Sequence, residues 1–165
     1  MDKAIYIIAE AGVNHDGSLD KALALVDVAA RAGADAVKFQ TFSAEKLVIP
    51  TAAKANYQRQ SGNEVESQYE MLRHLELSKN DHLEILAHCI DRNIQFLSSP
   101  FDLDSLEFLA SECDVPQIKL GSGELTNGPL LLAAAQTGRP IILSTGMASL
   151  AEVELALGEI GRAHV

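Results

Sequence analysis

Short apolar runs alternate with longer segments of helical period along most of this chain. Ile5–Ala9 (IYIIA) predicts a buried strand, and Ser18–Arg31 predicts a helix with Ser18 as its N-cap and Gly33 just past its end. Ala36–Gln40 (AVKFQ) reads as the next strand. The stretch from Thr41 to about Leu77 is rich in Gln, Asn, Ser and Glu, and is too long for an ordinary connection, so it is expected to be irregular and functional. The alternation then resumes with a helix over Lys79–Arg92, a strand over Gln95–Ser99, a helix over Leu103–Glu112 and a strand over Gln117–Leu120. A helix over Asn127–Gln136, a strand over Pro140–Ser144 and a helix from Leu150 to about Ile160 complete five strand-helix pairs in series. Strands that are apolar throughout and joined by helices must run parallel and be covered, which predicts an α/β fold.

Two architectures satisfy that pattern: an open doubly wound sheet, and a closed parallel (β/α)8 TIM-barrel-type fold, for which ~250 residues are typical. A length of 165 residues favours the open sheet. The polar residues favour the barrel, because every predicted strand has them at or near its end. Glu10 follows the first, Lys38 and Gln40 close the second, Ser98 and Ser99 end the third, Lys119 with Ser122 and Glu124 flank the fourth, and Ser144 with Thr145 end the fifth. In a parallel barrel all these ends open on one face and converge on a single site, whereas an open sheet would spread them along an edge.

Charge narrows the function. With 23 acidic against 13 basic residues the formal net charge is −10, and the long-range field repels nucleic acid and anionic lipid. Neither is an expected partner. The two cysteines, Cys89 and Cys113, lie in apolar or helical runs without metal-ligand spacing, and the N-terminal apolar stretch lacks a cleavage site. No segment approaches ~18 consecutive apolar residues. A reduced, cytoplasmic protein is the expectation.

Lys38 and Lys119 stand out because each sits inside an apolar strand. A buried ammonium must be paired or lose its proton. One reading pairs each with a neighbouring carboxylate, Glu10 or Glu124, for structural reasons. The other gives them a shared anion: two ammonium groups with the hydroxyls of Ser99, Ser122 and Ser144 are a donor set suited to a phosphate and a carboxylate on one ligand. The GSGE turn at Gly121–Glu124 adds backbone N–H groups, but is neither a Walker loop nor a full dinucleotide fingerprint, which disfavours NTP and NAD. Glu10 and Glu124 are candidate acid or base groups. No His pair has metal-ligand spacing, so no metal site is expected from this chain alone, and His15 reads as a turn histidine.

The runs IAEAGVNHDGS, ADAVKFQTF, ESQYEML, FLSSPFD, IKLGSGEL and PIILSTGMAS, in this order and spacing, closely resemble the catalytic barrel of the sialic acid synthases, the N-acetylneuraminate and related nonulosonate synthases, over about residues 5–160. The resemblance implies condensation of phosphoenolpyruvate with the open-chain aldehyde of an N-acylated amino sugar, N-acetylmannosamine or a relative, giving a nine-carbon 2-keto acid and phosphate. It further implies that Lys38, Ser99, Lys119, Ser122 and Ser144 hold phosphoenolpyruvate. Glu10, Lys38 and Glu124 would then be catalytic, with Gln40, Asn63, Tyr69 and Glu124 facing the sugar.

A divalent metal, Mn or Mg, is implied as cofactor, with histidine ligands on later strands, and a homodimer is implied for the complete protein. The same resemblance makes residues 1–165 a partial barrel of about five of eight strand-helix units, with the later units and a C-terminal antifreeze-like domain absent and the site incomplete. Two alternatives stay open. One is a non-catalytic phosphoenolpyruvate-binding or oligomerising remnant. The other is a related phosphoenolpyruvate-condensing aldose-phosphate synthase, which would need a second basic cluster that Lys46, Lys54, Arg59 and Arg73 do not form.

Overall fold

The computed structural model describes residues 5–49 and 67–162. Its strands are β1 (Ile8–Gly12), β2 (Ala36–Thr41), β3 (Gln95–Pro100), β4 (Ile118–Leu120) and β5 (Ile141–Leu143). The helices, in chain order, are α1 (Leu19–Arg31), α2 (Ala44–Leu47), α3 (Gln68–Leu75), α4 (Lys79–Asp91), α5 (Leu103–Ser111), α6 (Gly128–Gln136) and α7 (Leu150–Arg162), with a 3-10 turn at Ser122–Glu124. All the described strand pairs are parallel, forming one sheet in the order β1-β2-β3 and a second of β4-β5. The α/β alternation therefore holds. β3 and β4 lie side by side without a hydrogen-bonded ladder, so the sheet is an interrupted arc and the barrel is not closed.

Local sequence accounts for the helices. Ser18 caps α1 by accepting from the Lys21 N–H, and Gly33, at φ +77°, turns the chain out of it. Ser67 with Glu70, and Ser78 with Asp81, form capping boxes on α3 and α4. Asp102 and Asn127 cap α5 and α6. The described residues of the predicted irregular stretch after β2 thus contain two short helices, α2 and α3. Their start signals, Ser43 and the Ser67-Gln-Tyr-Glu box, sit among polar residues that read as loop.

The core lies between the strands and the helical layer. Phe39 and Phe96 stack at 6.1 Å between ring centroids, and Val26, Ile85, Leu109, Ile118, Leu120, Leu130 and Leu131 close around this layer. Residues paired across parallel strands share a face. The β2–β3 register sets Val37 and Phe39 with Phe96 and Ser98 toward the helices, and Lys38 and Gln40 with Leu97 and Ser99 on the opposite, inner face.

The first strand departs from expectation. Ile5, Tyr6 and Ile7 are 70%, 46% and 49% exposed, and the ladder starts only where Ile8 meets Ala36. Before that point Asp35 engages Ile7 through both its carboxylate and its backbone, which ends the pairing. Glu10 consequently sits inside β1, opposite Lys38, and not after the strand. Tyr6 instead spans the N-terminal end of the arc: its hydroxyl donates to Gln95 at 2.8 Å and accepts from Gln117 at 3.0 Å, tying the start of β1 to the starts of β3 and β4. An arc whose first and fourth strands are bridged by one phenol is strongly curled. No described helix is long and apolar enough to cross a membrane.

Candidate active site

The inner face of the arc carries the charged residues. Lys38, its side chain 10% exposed, reaches the Glu10 carboxylate at 2.8 Å, while Glu10 itself is 58% exposed. A dry ammonium and a wet carboxylate therefore face each other across β1 and β2. Gly12 makes room for the pair: its φ is +54°, and a Cβ there would lie 3.0 Å from Glu10 Oε1 and 3.8 Å from Gln40 Nε2. Glu10 and Gln40 thus approach the same small patch of backbone at the C-terminal end of the strands. Across the ladder Gln40 pairs with Ser99, whose buried Oγ has no hydrogen-bond partner among the described residues.

Lys119 enters from β4. Its ammonium donates to the Leu120 carbonyl at 2.8 Å and to Ser144 Oγ at 2.6 Å. Ser144 is held in place because its own N–H donates to the same Leu120 carbonyl. Burial pushes the Lys119 pKa down, and the nearby Lys38 charge pushes it further; Glu10 acts in the opposite sense. The two ammonium groups therefore feel each other although they come from different sheets. Lys119 forms no ion pair among the described residues. One of the two cations has a carboxylate partner and the other has none, which leaves an excess of positive charge within an acidic chain.

The structural pairing weighed for the lysines applies to Lys38 with Glu10, but not to Lys119 with Glu124. Glu124 lies in the 3-10 turn and accepts from Asn127 Nδ2 at 2.8 Å. Ser122 opens the same turn, half-buried. Tyr69 is half-buried in the first turn of α3, and Asn63 lies outside the described residues. Glu10 with Lys38 and Lys119 with Ser144 form two contacts that influence each other through their charges, with Gln40 and Ser99 beside the first. No described hydrogen bond or ion pair joins Ser122, Glu124 or Tyr69 to either contact.

Ser98, counted among the strand-end hydroxyls, departs from the predicted convergence. It faces the helical layer and bonds Thr41 Oγ1 at 2.7 Å, because the alternation that turns Ser99 inward turns Ser98 outward. His82, buried in α4, completes that contact at 3.0 Å from Thr41 Oγ1. Thr41 and His82 were missed in the sequence; the only signal was a pair of polar residues on positions whose period places them in the core.

The divalent metal finds no fitting ligand set here. Among the described residues no group of three or more His, Cys, Asp or Glu side chains could hold one. His15 Nδ1 accepts from the Gly17 N–H, His88 Nε2 meets Asp27, and both nitrogens of His82 are bonded; the buried His15 Nε2 has no hydrogen-bond partner among the described residues, but it belongs to no such group.

The chain is 48% identical over 155 residues to N,N'-diacetyllegionaminic acid synthases of Legionella pneumophila and of Campylobacter jejuni, covering 94% of this chain but 43% and 46% of theirs. It spans less than half the length of these relatives. An N-acetylneuraminic acid (sialic acid) synthetase from Leptospira borgpetersenii superposes with a TM-score of 0.83 at 33% identity, over 98% of this chain and 52% of that one. The family model described as NeuB matches residues 25–164. That match takes in Lys38, Gln40, Ser99, Lys119 and Ser144, leaving out Glu10, and with it the chain belongs to the NeuB family.

Proposed function

We propose that this chain supplies the phosphoenolpyruvate-binding side of a synthase that condenses phosphoenolpyruvate with an N-acylated amino sugar, and that it forms about five of the eight strand-helix units of that enzyme's barrel. The observation that carries this reading is the pair of half-buried to buried lysines, Lys38 and Lys119, on the strands of the arc, of which Lys38 meets Glu10 at 2.8 Å and Lys119 meets only Ser144 and the Leu120 carbonyl. The excess positive charge calls for an anion. Phosphoenolpyruvate carries a phosphate and a carboxylate, and Ser144, Ser99 and Ser122 supply neutral donors around it. The synthase relatives support the reaction class, and their names support a product of the N,N'-diacetyllegionaminic acid type.

In this reading the lysines hold the enol phosphate while its methylene carbon attacks the sugar aldehyde. A carbon–carbon bond forms and the aldehyde oxygen takes up a proton. Water then adds to the cationic C2, losing its proton, and the C2–oxygen–phosphate link breaks to release phosphate and the 2-keto acid. Glu10 aims Lys38 through their 2.8 Å contact. Glu124, oriented by Asn127, stands on the other side as the second candidate for proton transfer, and Gln40, Asn63 and Tyr69 face the sugar. No step is assigned to a metal, because the described residues assemble no site for it.

An aldose-phosphate substrate finds no second basic cluster among the described residues: Lys46 pairs with Asp104 and Arg73 with Glu76, while Lys54 and Arg59 lie outside the described residues. The test is calorimetric titration of phosphoenolpyruvate. Lys119→Ala is expected to abolish saturable binding, and unchanged affinity overturns the assignment. Adding N-acetylmannosamine and manganese and assaying 2-keto acid then asks about turnover. Formation of product by these 165 residues alone overturns the view that the site needs further strands.

A further inference from the structure

The Thr41, Ser98 and His82 contact lies directly behind the inner face. Each residue is at most 8% exposed, in a layer otherwise filled by Phe39, Phe96 and Phe108. Its hydrogen positions follow from chemistry. His82 Nδ1 lies 2.9 Å from the Ser78 carbonyl, which only accepts, so Nδ1 carries the hydrogen. In the neutral ring Nε2 is then an acceptor, and the Thr41 hydroxyl donates to it at 3.0 Å. Having given its only hydrogen, Thr41 Oγ1 must accept from Ser98 at 2.7 Å. Burial pushes the His82 pKa down, outweighing the Ser78 and Gln40 carbonyls and the Asp81 charge that pull it up, and so favours the neutral ring.

We propose that His82 is a positioning residue: through the one-way relay Ser98 to Thr41 to His82 to the Ser78 carbonyl, it fixes the C-terminal ends of β2 and β3 and thereby aims Gln40 and Ser99 at the substrates. This inference rests on the function proposed above, which places Gln40 and Ser99 at the reacting molecules. Gln40 and Ser99 are ladder partners, and each is the immediate chain neighbour of a relay member, Thr41 or Ser98. Alternation of side chains makes the relay and the site two faces of the same few residues. The ladder alone holds the backbones by bonds that repeat identically at every step. The relay adds a contact between side chains of defined polarity, which only one register and one rotamer set satisfy. Apolar side chains would fill the same space without the desolvation cost of three buried polar groups, but would not pin that geometry. α4 contributes through its capping box, since Ser78 is at once the N-cap of the helix and the terminal acceptor of the relay. Phe108 of α5 closes the ring edge-on at 5.9 Å.

The test compares Thr41→Val, which keeps the shape and removes the hydroxyl, with Thr41→Ser, which restores it, and Ile85→Val, a buried change on α4 outside the relay. In the complete synthase, kcat/KM is expected to fall about tenfold or more in Thr41→Val and to recover to within about twofold in Thr41→Ser, while Ile85→Val leaves it unchanged. Equal losses in Thr41→Val and Ile85→Val overturn the inference. Nitrogen-15 NMR of the wild-type imidazole gives a readout independent of turnover: hydrogen on Nδ1 and a bare Nε2 are expected, and hydrogen on Nε2 overturns the relay. If the wild-type enzyme condenses no phosphoenolpyruvate, the proposed function fails. The positioning role is then judged on the Gln40 side-chain amide resonance, which is expected to shift in Thr41→Val and not in Ile85→Val. Equal behaviour in the two variants overturns it.

Discussion

Gly17→Ala isolates the force that holds α3 against the turn after β1. Gly17 has φ +69°, and a Cβ built on it falls inside the van der Waals envelope of the His74 carbonyl oxygen and 3.3 Å from its carbon. The obstacle is backbone at the end of α3, so it cannot rotate away. Gly33 provides the control: its φ is +77°, yet a Cβ there meets nothing within 4 Å. An L-residue in the left-handed region costs roughly 1–2 kcal/mol, and Gly33→Ala is expected to lose about that in urea denaturation. Gly17→Ala carries the same strain plus a clash relieved only when α3 moves off. None of the α3 side chains is buried, so lifting the helix sacrifices little packing. The added cost is therefore expected as local opening and not as global collapse. Hydrogen exchange should show α3 amides losing protection by about tenfold for each 1.4 kcal/mol of docking energy lost, with β1, β2 and β3 as protected as in Gly33→Ala. Because α3 carries Tyr69, the sugar KM should rise while phosphoenolpyruvate affinity holds. If Gly17→Ala and Gly33→Ala match in both stability and α3 exchange, the packing of Gly17 against His74 does not anchor α3.

Three further outcomes follow from the structure. Tyr6→Phe removes the phenol that bridges Gln95 and Gln117, and should cost roughly 1 kcal/mol for hydrogen bonds at a half-exposed site; an unchanged urea midpoint would show that the bridge does not hold the arc. Burial pushes the Cys89 thiol up to about 12 and Cys113 up to about 11, so an aromatic disulfide reagent at pH 8 should label either only as fast as the chain unfolds, and an immediate burst would contradict their packing. His15 and His82 are both held below the ordinary 6.5, chiefly by burial. The unfolded chain therefore binds protons that the folded one refuses, so stability is complete above pH 6.5 and is lost as pH falls from there toward the folded values. His82→Gln should flatten that decline, and a pH-stability slope identical to wild type would refute the assignment.

The legible part of this molecule was the part whose signal is local. A lysine within AVKFQ or QIKL is conspicuous because its neighbours are apolar, and both proved to lie on the inner face. Helix boundaries were equally readable where a cap and a glycine bracket an apolar period, as around α1. Registers were not readable. Nothing in IYIIA says that Asp35 ends the ladder at Ile7, so β1 was placed three residues early and Glu10 was put beyond the strand instead of opposite Lys38. Ser98 and Ser99 look alike in sequence, and only the pairing of Phe39 with Ser98 and Gln40 with Ser99 reveals that they face opposite ways.

That alternation also explains how an unclosed arc still presents a defined site. A charge on the inner face needs a counter-charge, and Lys38 finds Glu10 one strand away, within a sheet that is hydrogen-bonded from β1 through β3. Lys119 belongs to the other sheet, where its polar contacts, Leu120 and Ser144, are supplied by β4 and the end of β5. The two halves of the cationic pair are thus each anchored within a continuous sheet, and the ladder missing between β3 and β4 falls between them. Repulsion between the ammonium groups acts across that gap and favours widening it, opposed at the other end of the strands by Tyr6.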